Sequence, residues 1–246
     1  MTKLLTLANP KLVKGIEKGY NTYILHLAPY TLSGKNVCPK ATAGCIAGCL
    51  NTAGRGGMFK AGETTNVVQT ARLNRTNLFW NNRTAFMAQL VTEIEKAIKQ
   101  SQRKGLIPVF RLNGTSDLSW EKYPAVRNGV EYANVFAAFP DVQFYDYTKV
   151  LNRKVSGIKN YHLTFSKAEN NDADVNKAID NGMNVAVVFN VKRDEKKPAS
   201  YKGLPVYDGD KTDLRFLDPK GYIIGLFAKG KAALDTSGFV VMLKQV

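Results

Sequence analysis

The sequence predicts an α/β protein whose core is a mainly parallel sheet. Short apolar, β-branched and aromatic runs alternate with segments of helical periodicity, which is the pattern of βα units. The chain has 246 residues and is 44% hydrophobic, which is enough to bury one large core. Residues 1–246 contain no internal repeat and no linker. We therefore expect a single domain, either a partial or distorted (β/α) barrel or, as the alternative, an open doubly wound sheet.

The first half of the chain contains three predicted strands and two predicted helices. The strands cover residues 22–28, 107–112 and 142–147. The helix between the first two strands covers residues 83–104 and ends at Gly105, with apolar residues at helical spacing, namely Phe86, Leu90, Ile94, Ala97 and Ile98. A second helix is predicted over residues 130–139, before Pro140.

The second half continues the alternation and then departs from it. Predicted strands at residues 161–165 and 184–189 enclose a helix over residues 172–181, which ends at Gly182. Residues 190–203 are polar and predict a surface loop. Three further apolar runs, at residues 204–207, 222–227 and 239–243, are candidates for closing strands.

The three cysteines of the chain, Cys38, Cys45 and Cys49, lie together in the loop that follows the first predicted strand. Three thiolates hold three irons of a cubane cluster and leave the fourth open, or fill three of the four positions around zinc. Zinc would need a fourth ligand, such as His26, His162 or a carboxylate. We favour a [4Fe-4S] cluster over zinc, and both over a cluster of free or redox-active thiols.

Polar residues follow several of the predicted strands, at the sheet edge where ligands bind in α/β folds. The loop after the second strand offers small hydrogen-bonding residues and a glycine that allows a ligand to approach the backbone. Lys149 follows the third strand and Ser166 the fourth. The candidate cofactor-binding residues are therefore Asn113, Gly114, Ser116, Asp117, Lys149 and Ser166.

A second candidate site lies in the acidic segment near residue 210. Asp208, Asp210 and Asp213, with Asp218 beyond them, have the short carboxylate spacing that suits Mg²⁺ or Mn²⁺. The favoured alternative is a turn in which the aspartates cap backbone amides and pair with Arg215. His26 alternates with apolar neighbours, so we expect it to point into a barrel core or to serve as a ligand.

The net charge of +15 favours a polyanionic partner such as a nucleic acid or nucleotide. Polar residues after the cysteine loop, among them Arg72, Arg75 and Arg83, are candidates for tracking phosphates. Phe79, Trp80 and Trp120 are candidates for stacking on bases, although packing between helix and sheet is the commoner use of such aromatics. Residues 54–57 are glycine-rich but lack the P-loop lysine pattern, so a flexible turn is expected there.

The cysteine loop directly after a first strand, followed by a glycine-containing polar loop, resembles the radical S-adenosylmethionine enzymes. Those enzymes usually space their cysteines Cys-x3-Cys-x2-Cys, whereas this loop is Cys-x6-Cys-x3-Cys. Their Gly-Gly-Glu motif is also missing after the second strand, and residues 113–117 stand in its place. The resemblance implies a radical-SAM-like barrel and S-adenosylmethionine at the open iron, with Asp117 against its amine.

Segments spread over most of the chain also resemble a family of uncharacterised phage-encoded proteins. They are residues 33–39, 44–45, 49–54, 111–117 and 208–215. This second resemblance implies an iron–sulfur site and no particular reaction.

Two functional classes follow from these observations. The first is a radical-type enzyme acting on an anionic or nucleotide-type substrate, with an electron donor as partner. The second is a non-catalytic protein that binds nucleic acid and is stabilised by its cluster, or a three-cysteine zinc protein. The N-terminus has no signal-peptide core and no apolar run is long enough to span a bilayer, so we expect no membrane contact. A reducing cytoplasm is the expected location, that of the host cell if the protein is phage-encoded.

Overall fold

The computed structural model describes residues 2–7, 14–60 and 62–243. Its largest feature is a nine-stranded sheet, and a separate hairpin of two short strands lies beside it. In chain order the strands are β1 (Leu5–Thr6), β2 (Tyr20–Leu25), β3 (Ile107–Arg111), β4 (Ala125–Arg127), β5 (Val130–Tyr132), β6 (Gln143–Thr148), β7 (Tyr161–Ser166), β8 (Val185–Phe189), β9 (Ser200–Tyr201), β10 (Leu204–Asp208) and β11 (Ile223–Phe227). The hairpin is β4–β5.

The sheet is open and mostly parallel. Its strand order is β1-β2-β3-β6-β7-β8-β11-β10-β9, and every neighbouring pair is parallel except β1·β2 and β10·β9 at the two edges. Among the described residues no pairing joins β1 to β9, so the sheet does not close into a barrel. The predicted α/β class is confirmed at this coarser level, as an open α/β sheet.

Five α-helices connect or flank the strands in the described part of the chain. They are α1 (Ala43–Ala47), α2 (Val67–Asn81), α3 (Arg83–Gln102), α4 (Val135–Ala138) and α5 (Asp172–Asp180). Asn82 ends α2 and caps α3, because its side chain accepts a hydrogen bond from Ala85 N. In α3 four of the five residues of the predicted apolar stripe are buried and Ile98 is partly buried, which confirms the helix that the spacing predicts.

The two faces of the sheet are packed differently. On one face Tyr23, Phe110 and Phe144 pack with the helices into the main core. On the other face Val109 and Tyr145 pack against Leu214, which precedes a short 3₁₀ turn, Arg215–Leu217. The segment after β10 therefore covers the face that the helices leave open.

The predicted helix over residues 130–139 is wrong in its first part. Asn128 and Gly129 both have positive φ, 51° and 77°, the geometry of a two-residue type I′ hairpin turn. This turn joins β4 to β5, so residues 130–132 pair as a strand and only Val135–Ala138 is helical. The Asn-Gly pair between short apolar runs is the signal that favours the hairpin.

The predicted strand at residues 239–243 is also wrong, because only Val241 pairs, in a single parallel bridge to Phe189. β7 pairs with the first two residues of β8 only, which leaves the Val188 carbonyl free to accept from Val241 N at 2.8 Å. The other closing strands, β10 and β11, lie at the predicted places within one residue at their ends. The C-terminal segment thus fills a gap between β7 and β8.

Candidate metal centre

The cysteine loop begins where β2 ends and lies at the carboxyl edge of the sheet. Cys38 precedes α1, Cys45 lies inside that helix, and Cys49 follows it. Thr42 is the N-cap of α1, and its hydroxyl accepts from Cys45 N at 3.3 Å. All three thiols are free and partly buried.

Cys38 is partly buried and contacts two backbone groups. Its sulfur accepts a hydrogen bond from Tyr30 N at 3.3 Å, and its thiol donates to the carbonyl of Thr115 at 3.8 Å. Burial, and to a lesser extent the nearby Cys49 and Asp117, raises the pKa of Cys38 to about 12. A bound cation would be needed to hold this group as a thiolate at neutral pH.

The three thiols lie within electrostatic range of one another. Cys45 and Cys49 both raise the pKa of Cys38, and Cys45 also raises that of Cys49. Burial is the main cause of the raised pKa of Cys49, and it is opposed by the Asn51 N–H, Arg72 and Lys149. Two cations therefore face the Cys49 end of the loop.

Within the described ranges, no group of three His, Cys, Asp or Glu side chains is close enough to hold a single metal ion. A cubane cluster sets a different requirement, because each of its thiolate ligands binds a different iron. Tyr30 N and Asn51 N, the latter 3.5 Å from Cys49 Sγ, supply the backbone hydrogen bonds to sulfur that help set cluster potentials. The donor set is compatible with a cluster.

Loops after three further strands meet the cysteine loop at this edge. Asp117, after β3, accepts from Lys149 N at 2.8 Å, and Lys149 Nζ, after β6, donates to Ser166 Oγ at 3.3 Å at the end of β7. Burial raises the pKa of Asp117, against opposing hydrogen bonds and the charge of Arg153. The predicted residues Asp117, Lys149 and Ser166 are thus connected in one chain of contacts beside the thiols.

The other residues predicted after β3 shape their own loop. Asn113 is buried, and its side-chain oxygen accepts from Ser116 Oγ at 2.8 Å and from Leu118 N at 2.9 Å. A Cβ on Gly114 would lie 2.8 Å from the ring of His26, so glycine is required for the loop to reach β2. In this structure Asn113, Gly114 and Ser116 hold the loop in place.

A cavity of about 290 Å³ lies between residues 39–42 of the cysteine loop and the start of α5. Its walls include Thr42 and two lysines, Lys40 and Lys149, with Asn171 and Asp174 from the start of α5. In the part of the chain that the structure describes, neither lysine has a carboxylate within ion-pair distance. The cavity is therefore suited to an anionic group.

Glu169, in the loop after β7, fixes the start of α1. Its two carboxylate oxygens accept from Thr42 Oγ1 at 2.6 Å and from Gly44 N at 2.7 Å. Partial burial alone would raise its pKa, but these hydrogen bonds outweigh burial and lower the pKa of Glu169. The Glu169 carboxylate thus links the start of α1 to the loop after β7.

Both histidines of the chain are held neutral by their surroundings. Burial, with Arg72 and Arg111 nearby, lowers the pKa of His26 to about 3. His162 lies in β7, where burial and the charge of Arg215 lower its pKa to about 4. His26 Nδ1 lies 3.4 Å from Thr6 Oγ1, so it contacts the edge strand β1.

The acidic residues predicted as a second metal site are divided among several ion pairs. Lys197 Nζ lies 2.7 Å from Asp208 and 3.3 Å from Asp210. The remaining pairs are Lys229–Asp210 at 3.1 Å, Arg111–Asp213 at 2.6 Å and Arg215–Asp218 at 3.1 Å. Asp208 also accepts from Asp210 N at 3.0 Å. This is the arrangement that the alternative of a paired turn predicts.

Four of the six predicted phosphate-tracking and stacking residues lie in the interior, and the other two, Arg83 and Trp80, are partly buried. Arg72 and Arg75 are buried, so neither guanidinium is a surface group. Phe79 and Trp120 are fully buried and pack edge to face, with ring centroids 5.5 Å apart. Arg83 lies over the Phe79 ring at 4.7 Å. The commoner use of such aromatics, packing between helix and sheet, is the one found here.

Comparison with known proteins assigns the chain to a family. The model of the family described as Gene product 88 matches residues 3–242, which include all three cysteines and every loop of the site. The chain belongs to the gene product 88 family. No curated protein and no solved structure matches it significantly. Membership is consistent with the phage-protein resemblance of the sequence and specifies no reaction for this family member.

Three residues that contact the cysteine loop could not be identified from the sequence. Tyr30 adopts a positive φ of 51° while its N–H contacts Cys38, a conformation unusual for a non-glycine residue. Glu169 acts across the sheet on Thr42, 127 residues away in the chain. Arg72 lies on α2 among other polar residues, and nothing in the sequence distinguishes it from Asn74 and Asn77, which are exposed. These contacts depend on tertiary placement.

No helix in the described ranges has both the length and the apolar character needed to cross a membrane.

Proposed function

We propose that Cys38, Cys45 and Cys49 hold a [4Fe-4S] cluster whose open iron binds S-adenosylmethionine, in a radical-type enzyme acting on an anionic substrate. The observation that supports the proposal is the convergence of three free thiols with the loops after β3, β6 and β7 at one sheet edge. Carboxyl edges of parallel strands are where α/β proteins bind ligands. A bound cluster would supply electron transfer, and the chain would supply orientation and exclusion of water.

The cavity beside Lys40 and Lys149 is the proposed substrate site. Lys149 is half-buried and anchored by Ser166, so its ammonium is held at a fixed place beside the thiol loop. Thr42 and Asn171 add polar groups to the same wall. An anionic or nucleotide-type substrate suits this lining because two lysines face a single aspartate, Asp174. The proposed setting is the host-cell cytoplasm, with an electron-donor protein as partner.

The test is anaerobic loading of the full chain with iron and sulfide. We expect wild type to gain a visible chromophore and, after reduction with dithionite, an electron paramagnetic resonance signal that changes when S-adenosylmethionine is added. Replacement of Cys38, Cys45 or Cys49 by Ala should remove the chromophore, because each thiolate holds a different iron. Ser33→Ala, in the same loop, is the matched control and should keep full iron.

Three results would count against the proposal. Full iron retention in any single cysteine variant would show that the three thiols do not act together. A colourless protein that takes up zinc would return the site to a Cys₃ zinc centre. A cluster signal that does not change when S-adenosylmethionine is added would support the cluster but reject the radical chemistry.

The charge distribution favours a second candidate, a nucleic-acid-binding protein whose cluster is non-catalytic. Residues 18–92, which contain the cysteine loop, hold eight Lys or Arg and a single acidic residue, Glu63. Such a segment attracts polyanions through its field. This candidate would be favoured over the enzyme if the loaded protein binds nucleic acid and its cluster signal does not change when S-adenosylmethionine is added.

A further inference from the structure

Arg72 is a buried cation beside the candidate metal centre. It is 8% exposed, and its Nη1 donates to the carbonyl of Asn51 at 2.9 Å and to the side-chain oxygen of Asn51 at 2.6 Å. Its Nε is buried without a hydrogen-bond partner among the described residues. A buried charge held only by neutral groups costs several kcal/mol unless a counter-charge is present.

Two other enclosed arginines of the described residues have carboxylate partners. Arg111 pairs with Asp213 at 2.6 Å, and Arg153 pairs with Glu121 at 2.6 Å. Arg75, one turn beyond Arg72 on α2, donates to two backbone carbonyls, and Glu93 raises its pKa. No carboxylate in the described ranges does the same for Arg72, whose pKa is lowered by burial and raised only by Cys49. Of the three buried arginines in the described ranges, Arg72, Arg75 and Arg215, Arg72 is therefore the one on which no carboxylate acts.

The chain around Arg72 is built to place it against Cys49. Asn51 links the two, because it binds the guanidinium and donates its N–H to Cys49 Sγ. A Cβ on Gly56 would lie 3.1 Å from Arg72 Nη1 and would overlap the carbonyl of Asn51. Glycine at that position lets the backbone close over the guanidinium. The counter-charge is thus expected on the thiol side.

We infer that Arg72 is the counter-cation of the metal centre and raises its reduction potential. The inference rests on the cluster proposed above. When the centre takes up one electron from a low-potential donor it gains one negative charge, and a buried cation stabilises the reduced form more than the oxidised form. Net charge and nearby donors are among the factors that set cluster potentials. Arg72 acts here through charge and position, without contact to a substrate.

Redox titration of the loaded full-length protein tests the inference. Arg72→Gln should bind as much iron as wild type but favour the oxidised form at least about tenfold more at a fixed potential, a shift of about 59 mV for a one-electron couple. Arg72→Lys keeps the charge and should stay within about twofold of wild type. Arg75→Gln is the matched control and should also stay within about twofold, because Arg75 donates to the carbonyls of Lys3 and His26 and is not among the charges that act on Cys38 or Cys49.

The outcomes separate this inference from the proposed function. Wild type that forms no cluster rejects both. Wild type with a cluster and an Arg72→Gln variant of unchanged potential rejects the role of Arg72 alone. Loss of iron from Arg72→Gln with full iron in Arg72→Lys would contradict the expected iron content and overturn the redox role of Arg72, because the cation would then be needed to assemble the centre. If Arg72→Gln does not fold, Arg72→Lys decides, and a tenfold shift in that variant overturns the inference.

Discussion

At the scale of single residues, Asp146 connects the interior of the sheet to the loop that follows β3. Its carboxylate lies in β6 and accepts from Asn113 N at 2.8 Å and from the Tyr161 hydroxyl at 3.0 Å. Burial raises the pKa of Asp146 to about 7, although Arg111 and these two hydrogen bonds act in the opposite direction. The site thus rests on a carboxyl group that titrates near neutral pH.

This raised pKa predicts a specific pH dependence of stability. Between the unfolded value of 3.8 and about 7 the folded state holds more protons than the unfolded state. The free energy of unfolding contributed by Asp146 should therefore fall as pH rises through that window. Asp146→Asn should remove this part of the slope, and urea unfolding at a series of pH values measures it. Tyr161→Phe is the companion variant and should move the window to higher pH, because it removes a hydrogen bond that lowers the pKa. An unchanged slope in Asp146→Asn would contradict the assignment.

At the scale of elements, α1 is stable only because its surroundings hold it. A helix of five residues does not persist on its own, and α1 lies under the segment after β11. Gly44 faces Ser237 and Phe239, and Gly48 faces Ala232, at distances that leave no room for larger side chains. The C-terminal segment therefore presses on the helix that contains Cys45.

Gly44→Ala should destabilise the protein by about 1 to 3 kcal/mol, as overpacking does. The new methyl group would overlap Ser237 Oγ and lie 2.7 Å from Phe239 Cβ, so the backbone of one segment must move. Chemical denaturation measures the change, and proteolysis of residues 230–239 should become faster. Ala47→Ser, at an exposed position on the same helix, is the control and should change stability by less than about 0.5 kcal/mol. Equal stability of Gly44→Ala and wild type would show that the contact is not tight.

Elements with strong local signals are predictable from the sequence, and elements set by tertiary contacts are not. The apolar stripe of α3, the aromatic-rich run of β6 and the alternating run of β7 specify those elements locally. The C-terminal run 239–243 is as apolar as a strand, but whether it pairs depends on where β7 leaves β8 free. The same holds for the site. Strand ends locate Asp117, Lys149 and Ser166, whereas the burial of Arg72 depends on how α2 packs.

At the scale of the whole molecule, positive charge is concentrated on the part of the chain that forms the candidate site. The segment 18–92 carries a net +7 of the +15 formal charge. Four of its basic residues are exposed around the cysteine loop, namely Lys35, Lys40, Arg55 and Lys60. An anion that approaches the molecule is therefore drawn toward the edge where the thiols lie. The field acts equally on a small substrate and on a polynucleotide.

Salt dependence distinguishes a polynucleotide from a small anion. For a single-stranded DNA probe, the logarithm of the binding constant should fall linearly with the logarithm of the salt concentration. The slope should be about −0.7 for each phosphate contact. Replacing Lys35, Lys40, Arg55 and Lys60 by Gln should reduce that slope by up to about 3, since four contacts are lost. The matched control replaces four exposed basic residues at the end of α3 by Gln, namely Lys96, Lys99, Arg103 and Lys104. These residues precede β3 and lie toward the opposite edge of the sheet, so the control should keep most of the wild-type slope. An equal reduction of the slope in the two variants would mean that the whole basic surface attracts DNA without a defined site. If the probe does not bind even at low salt, a small anion remains the expected partner of this edge.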